Sequence, residues 1–437
     1  MTRHRSDDPR ARWAFETRQL HAGTAPDPTT GARAVPIYQT TSFVFRDVDH
    51  AAALFDLEEP GYLYTRVINP TQDALERRLA SLEGGVAALA LASGQAATAF
   101  AVLNLADAGD HLVASASLYG GTSTLFHHRL RRLGIETTFV DDPDDLDAWR
   151  AALRPTTKAL FGESIGNPKG DVLDIEGVAG VAHAVGIHLI VDNTLASPWL
   201  LRPFEVGADI VVHSATKFIG GHGTTIGGVI VDRGDFDWAA SGRFPQLLEP
   251  DESYHGLRYV EAFGPMAYLV RARVTLLRDI GAAIAPQSAF NLLQGIETLS
   301  LRMERHSANA LAVAEWLAAR ADVPWVAYPG LASSPWHERA QRLLPRGAGA
   351  VLAFGVDGGA PRARRFVEAL TLFSHLANVG DVRSLAIHPA STTHRQLDEA
   401  QQAASGVTAD LVRLSVGIEH IDDIVADLDH AFSATMP

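Results

Sequence analysis

Residues 187–222 read IHLIVDNTLASPWLLRPFEVGADIVVHSATKFIGGH. Two short apolar runs stand out, IHLIVD and ADIVVHSA, each followed at once by polar and small residues. Solid Val/Ile/Leu runs of this length, bounded by turn signals, read as strands buried on both faces. The flanks repeat the pattern. Upstream, IEGVAGVAHAVG has helical spacing and follows the strand-like KALFGES. Before that come HLVASA, the helical TSTLFHHRLRRLG ending at Gly134, and IETTFVD. Earlier still, VAALALAS runs into Ser93-Gly94-Gln95 and the apolar helical run AATAFAVLNLA. Downstream lies GGVIVD. Asn69-Pro70 supplies an N-cap and first-turn proline for a helix carrying Leu75, Leu79 and Leu82, which Gly84-Gly85 ends. This alternation predicts an α/β fold: a mostly parallel sheet with helices on both faces.

The chain has 437 residues, enough for two domains or three. Residues 1–65 show little periodicity and read as an N-terminal arm contacting a neighbouring subunit. Residues 66–290 form the expected main domain, interrupted near 232–266 by a polar, Gly, Pro and aromatic stretch that reads as an insertion. Residues 291–437, with VLAFGVDG, RARRFVEALTLF and LVRLSVG, predict a smaller C-terminal α/β domain.

Composition removes several function classes. The hydrophobic share of 47% is that of a globular chain, and the net charge of −14 argues against nucleic acid as a partner. No apolar stretch is long enough to span a membrane. The N-terminal 20 residues lack the apolar segment of a secretory signal, and the expected location is the cytoplasm. Cysteine is absent, which excludes disulfides, thiolate metal sites and a cysteine nucleophile. Lysine occurs three times, at Lys158, Lys169 and Lys217, against 34 arginines. A chain that uses Arg for its surface cations makes a Lys in a special setting conspicuous.

Ligands of open α/β sheets sit at the carboxyl ends of the strands. Those ends carry Ser93-Gly94-Gln95 at a helix start, Leu118-Tyr119-Gly120-Gly121, Ser164 with Gly166-Asn167-Pro168, Asp192-Asn193-Thr194, and His213-Ser214-Ala215-Thr216-Lys217. Singly, each has a bland reading: a routine helix start, a packed tyrosine, a turn-forming aspartate, a surface lysine. Together they suit pyridoxal phosphate. Lys217 would form the Schiff base, Asp192 would pair with the ring nitrogen, and Tyr119 would stack on the ring. Ser214 and Thr216 would hold phosphate with the N–H groups of Gly94 and Gln95.

From about Thr17 to Pro437 the sequence resembles the cysteine and methionine metabolism PLP enzymes of fold type I. The resemblance rests on YTRVINPT (64–71), SGQA (93–96), LYGGT (118–122), ESIGNP (163–168), VDNT (191–194), HSATKFIGGH (213–222), IHPASTTH (387–394) and RLSVGIE (413–419). It implies the roles just given, with Lys217 also moving protons and Tyr119 assisting the leaving group. It further implies that Asn167 lies near the ring hydroxyl, that Arg413 clamps the substrate carboxylate, and that Ser384 lies near that carboxylate. Tyr64 and Arg66 would reach the phosphate of the neighbouring subunit, which implies a dimer, paired into a homotetramer.

Within that family, residues 21–43, SYHG (253–256), residues 290–306 and residues 378–394 resemble the O-acetylhomoserine sulfhydrylases. Methionine γ-lyases usually carry a Cys where this chain has Gly121, and cystathionine synthases usually lack the long insertion. The activity so implied joins an amino-acid substrate to sulfide. O-acetyl-L-homoserine loses acetate at Cγ, and sulfide or methanethiol takes its place to give homocysteine or methionine. The alternatives are succinyl-dependent synthesis and γ-elimination.

Rival classes have weaker footing. Gly162-Glu163-Ser164-Ile165-Gly166 matches G-x-S-x-G, with Asp192 and His213 in hydrolase order. A nucleophile elbow turns straight from strand into helix, whereas Asn167-Pro168-Lys169-Gly170 intervenes here. The 18 histidines form no H-E-x-x-H, and no metal site is expected. A scaffold that kept only the fold would not need the full Lys, Asp, Tyr, Ser/Thr and Arg set.

Overall fold

The computed structural model describes residues 12–393, 395, 402 and 406–436. Residues 1–11 of the expected arm and His394 of the 387–394 motif lie outside the described residues. Seven strands form the larger sheet: β1 (Ala87–Leu91), β2 (His111–Ser115), β3 (Glu136–Val140), β4 (Thr157–Glu163), β5 (His188–Asp192), β6 (Ile210–Ser214) and β7 (Gly228–Asp232). Their order is β1-β7-β6-β5-β4-β2-β3. The five strands β2 to β6 run parallel, while β7 is antiparallel to both of its neighbours. The apolar runs explain this. β2 and β7 are buried at every position, as a strand covered on both faces must be.

The connecting helices begin and end where the sequence places them. Pro70–Glu83 is capped by the Asn69 side chain, which accepts from Thr71 N, and stops at Gly84 in the left-handed region, φ 92°. Gly94–Leu103 is capped by Ser93, whose side chain accepts from Ala96 N. Ile175–Ala184 leads into β5. One face of the sheet buries Leu160, Leu189, Val191, Val211 and Val229, and the other buries Leu112, Phe161, Ile190, Val212 and Ile230.

Two segments depart from the sequence reading. The stretch near 232–266 reads as an interruption, yet Trp238, Phe244, Leu247 and Tyr259 are buried in the core of the second face. Phe236 and His188 stack at 3.7 Å between ring centroids, with Trp238 and Phe244 packed beside them. Polar residues between these aromatics hide the pattern from any periodicity count. The low-periodicity region before residue 65 contains two short helices, Phe15–His21 and Val48–Phe55. The second starts at Asp47, whose side chain accepts from His50 N at 2.7 Å. It remains largely uncovered, with Val48 83% and Phe55 57% exposed.

A second sheet follows the long helix Leu299–Ala318. It comprises β8 (Val326–Ala327), β9 (Val351–Gly355), β10 (Ser374–His375), β11 (Leu385–Ile387) and β12 (Leu411–Ser415), in the order β10-β11-β12-β9-β8. Its core joins Leu352, Phe354, Phe366, Val412, Leu414 and Phe432.

Candidate functional site

A cavity of about 280 Å³ opens at the carboxyl ends of β4, β5 and β6. It is lined by Ser93, Gly94, Gln95, Tyr119, Asn167, Asp192, Ser214, Thr216 and Lys217, and by Asn378 and Arg413 from the second sheet and its loops. Nine of the residues singled out from sequence thus share one wall with Arg413.

Lys217 sits three residues past the end of β6. The turn is held by Lys217 N donating to Ser214 O at 3.2 Å and Gly221 N donating to Lys217 O at 2.7 Å. Its ammonium donates to Asn378 Oδ1 at 2.5 Å. Burial, with Arg413 adding repulsion, brings the Lys217 amine down to about 8 from 10.5. Arg413, on β12, donates through Nη1 to Asn167 Oδ1 at 3.2 Å and through Nη2 to Asn378 O at 3.1 Å. Its Nε is buried and has no protein partner. Burial lowers the guanidinium to about 10. A buried cation with an idle donor suits an anion supplied by a ligand.

Asp192 ends β5. Its Oδ1 accepts from Thr194 N at 3.0 Å and from Thr194 Oγ1 at 2.5 Å. Thr194 Oγ1 in turn accepts from Ser214 N at 2.8 Å, so one threonine ties the aspartate to the strand of the lysine. Burial raises the Asp192 carboxyl, while the Thr194 bonds and His213 favour its charged form.

The helix start at Gly94 presses against β6. A Cβ built there would lie 2.6 Å from Ser214 Cβ, so only glycine fits. The first N–H groups of a helix have no intrahelical acceptor, and those of Gly94 and Gln95 sit beside the Ser214 hydroxyl at the cavity. Such a cradle fits phosphate. Thr216 lines the cavity too, but its hydroxyl is engaged with Gly227, at 3.2 Å to the carbonyl and 3.1 Å from the N–H. Tyr119 is half exposed over the cavity. Its ring fills the space a Gly121 side chain would take, with Tyr119 Cε1 2.4 Å from a Cβ built there. Lysine, buried carboxylate, aromatic and helix-start cradle together match the donor set that pyridoxal phosphate requires.

Three expected site residues stand elsewhere in the single chain. Ser384 does not line the cavity: its Oγ donates to Glu419 Oε2 at 2.9 Å and accepts from Gly417 N at 2.9 Å. Tyr64 is 40% exposed, and Arg66 donates to the Arg278 carbonyl; neither lines this cavity. The hydrolase alternative finds no relay. Ser164 Oγ is buried without a partner, and His213 bonds Glu83 Oε1 at 2.5 Å, where Asn193 also donates at 3.0 Å. No cluster of His, Asp or Glu able to hold a metal occurs among the described residues.

Sequence reading gave no role to Thr194, Asn378 or Glu163, all of which line the cavity. Glu163 ends β4 as Asp192 ends β5, so the strand-end rule points to both. Asn378 has no local signal, because its approach to Lys217 exists only once the second sheet is docked.

The chain matches the family model for Cys/Met metabolism PLP-dependent enzymes over residues 16–433. It is 54% identical over 425 residues to an O-acetyl-L-homoserine sulfhydrylase of Leptospira meyeri, covering 95% of this chain and 96% of that one. It is 55% identical over 421 residues to a homocysteine synthase of Schizosaccharomyces pombe, covering 95% and 97%. A crystal structure from Campylobacter jejuni, of a chain assigned as an O-acetylhomoserine (thiol)-lyase and bearing an N'-pyridoxyl-lysine-5'-monophosphate, superposes with a TM-score of 0.94 at 42% identity, covering 96% of this chain and all of that one. With its α/β architecture of a mostly parallel sheet beside a smaller sheet, the chain belongs to the Cys/Met metabolism family of PLP-dependent enzymes, fold type I.

Proposed function

We propose that this enzyme replaces the acetoxy group of O-acetyl-L-homoserine with sulfide, giving L-homocysteine and acetate, and gives L-methionine when methanethiol is the nucleophile. The carrying observation is the cavity's charge. Among its described lining residues only Lys217 and Arg413 are cations. With Lys217 joined to the cofactor, Arg413 alone remains for a substrate carboxylate. A donor with one carboxylate and a neutral acetyl ester fits this count, whereas a succinyl or phosphoryl ester brings a further anion. Likeness over 95% of the chain to an O-acetyl-L-homoserine sulfhydrylase and to a homocysteine synthase supports the same choice.

The bound cofactor supplies an electron sink that acidifies the protons on Cα and Cβ of the substrate. The residues of the chain divide the remaining work. Lys217, lowered to about 8, is partly neutral at physiological pH and carries protons between Cα and Cβ. Asp192 holds its charge toward the ring nitrogen, Tyr119 stacks and assists departure of acetate, and Asn167 meets the ring hydroxyl. Gly94, Gln95, Ser214 and Thr216 hold the phosphate. Arg413 fixes the substrate carboxylate, and Ser384 steadies the backbone beside it. Tyr64 and Arg66 complete the phosphate site of a neighbouring subunit, in a homotetramer located in the cytoplasm.

The test is a matched turnover assay with sulfide and either O-acetyl- or O-succinyl-L-homoserine. Homocysteine is expected from the acetyl ester, and preference for the succinyl ester would refute the donor assignment. Lys217→Ala should abolish turnover, so substantial residual activity would remove Lys217 from its role.

A further inference from the structure

The end of β4 carries a carboxyl to which none of these roles applies. Glu163, the last residue of β4, pairs in register with Asp192, the last residue of β5. Residues side by side on neighbouring strands face the same side of the sheet, and both line the cavity. Glu163 keeps only 8% of its surface. Its Oε1 accepts the Tyr119 N–H at 2.5 Å, and no hydrogen bond reaches its Oε2 among the described residues. Asp192 differs in being held by both donors of Thr194.

The groups around this pair do not neutralise Glu163. From the loop after β4 comes Asp171, 4% exposed, whose Oδ1 accepts from Ser117 Oγ at 2.6 Å. On β6, His213 is bonded to Glu83. Across the cavity, Lys217 donates to Asn378, and Arg413 to Asn167 and Asn378. Two adjacent buried carboxyls without a cation of their own hold one proton between them.

We propose that Glu163 stands in this cavity as a neutral carboxylic acid, a positioning residue that holds the Tyr119 backbone and leaves Asp192 as the one negative charge at the strand ends. Burial first, and then Asp192, push Glu163 well above the ordinary carboxylate range. The protonated group accepts from Tyr119 N through one oxygen and keeps a hydroxyl to donate into the cavity. Ionisation of Glu163 would set a second negative charge beside Asp192 and loosen the hold on Tyr119. This inference rests on the cavity being the cofactor site.

The test compares wild type, Glu163→Gln, Glu163→Asp and Glu163→Ala. In cofactor-free protein at neutral pH, infrared difference spectra of wild type against Glu163→Gln should show a protonated-carboxyl stretch that shifts in heavy water. Glu163→Asp should move that same stretch, which assigns it even if the Gln variant fails to fold. A wild-type spectrum with no such stretch responding to either variant overturns the proposal. In the loaded enzyme, Gln mimics the neutral acid, so kcat should stay within about threefold of wild type while Ala loses tenfold or more. Equal losses in Gln and Ala overturn it as well. The infrared arm is independent of the substrate, so a failed sulfhydrylase assignment leaves it readable.

Discussion

At the scale of single residues, the site depends on how a buried amine is kept from its ordinary charge. Below pH 8 Lys217 is charged in both the folded and unfolded chain, and the fold bears the cost of burying that charge. Between about 8 and 10.5 the folded chain has released a proton that the unfolded chain still holds, so stability rises across that window. In cofactor-free protein, labelling of Lys217 by an amine-specific reagent should therefore rise through a midpoint near 8, as read by peptide mass spectrometry. Arg413→Gln removes a repulsive neighbour and should move the midpoint upward; an unchanged midpoint would show that burial acts alone. Gly94 gives a second residue-scale expectation. An added Cβ must displace Ser214, so Gly94→Ala should weaken cofactor affinity by about tenfold or more while leaving the far-UV spectrum intact. Titration of cofactor absorbance in the two proteins decides it.

At the scale of elements, the strands were legible because their runs are solid. IHLIVD and ADIVVHSA became β5 and β6, and the polar residues after them became the cavity wall. Helix ends were legible where a single side chain or glycine makes the cap, as at Asn69 and Gly84. The aromatic core of residues 236–259 was not, because Phe236, Trp238, Phe244, Leu247 and Tyr259 follow no period and are gathered only by the sheet face they cover. The G-x-S-x-G match, set aside on its missing strand-to-helix turn, shows a related limit: spelling does not record that Ser164 and His213 lack a common partner. The pairing His213 makes instead joins β6 to the helix Pro70–Glu83 through Glu83 at its last position. Both side chains are fully buried, and Asn193 shares the same oxygen. Glu83→Ala should thus lower unfolding free energy by roughly 3 kcal/mol, since it strands the buried His213 ring and takes one of two acceptors from the Asn193 amide. Chemical denaturation of the cofactor-free protein measures this, and a loss below about 1 kcal/mol would mean water replaces the missing oxygen.

At the scale of the whole molecule, the cavity wall was readable from the larger sheet, while its completion by Asn378 was not. The reason is geometric. Residues at strand ends of one sheet announce themselves in sequence order, but a loop from a different sheet contributes only after docking. Ser384 illustrates the converse: it lies in a motif that carries resemblance, yet its hydroxyl is spent on Glu419 and Gly417. The arms of the site are therefore unequal. Lys217, Asp192 and the helix start at Gly94 are fixed to the seven-stranded sheet, and Arg413 to the five-stranded one.

That division means that a cofactor-bound amino acid, anchored at Asp192 and the Gly94 helix start at one end and at Arg413 at the other, is a strut between the two sheets. Such a strut makes their melting concerted. An amino acid bearing a carboxylate should merge and raise the calorimetric transitions of the loaded enzyme, whereas the matching amine without a carboxylate should leave them where the cofactor alone puts them. Heat would then report the grip of β12 on a substrate even when no bond is broken.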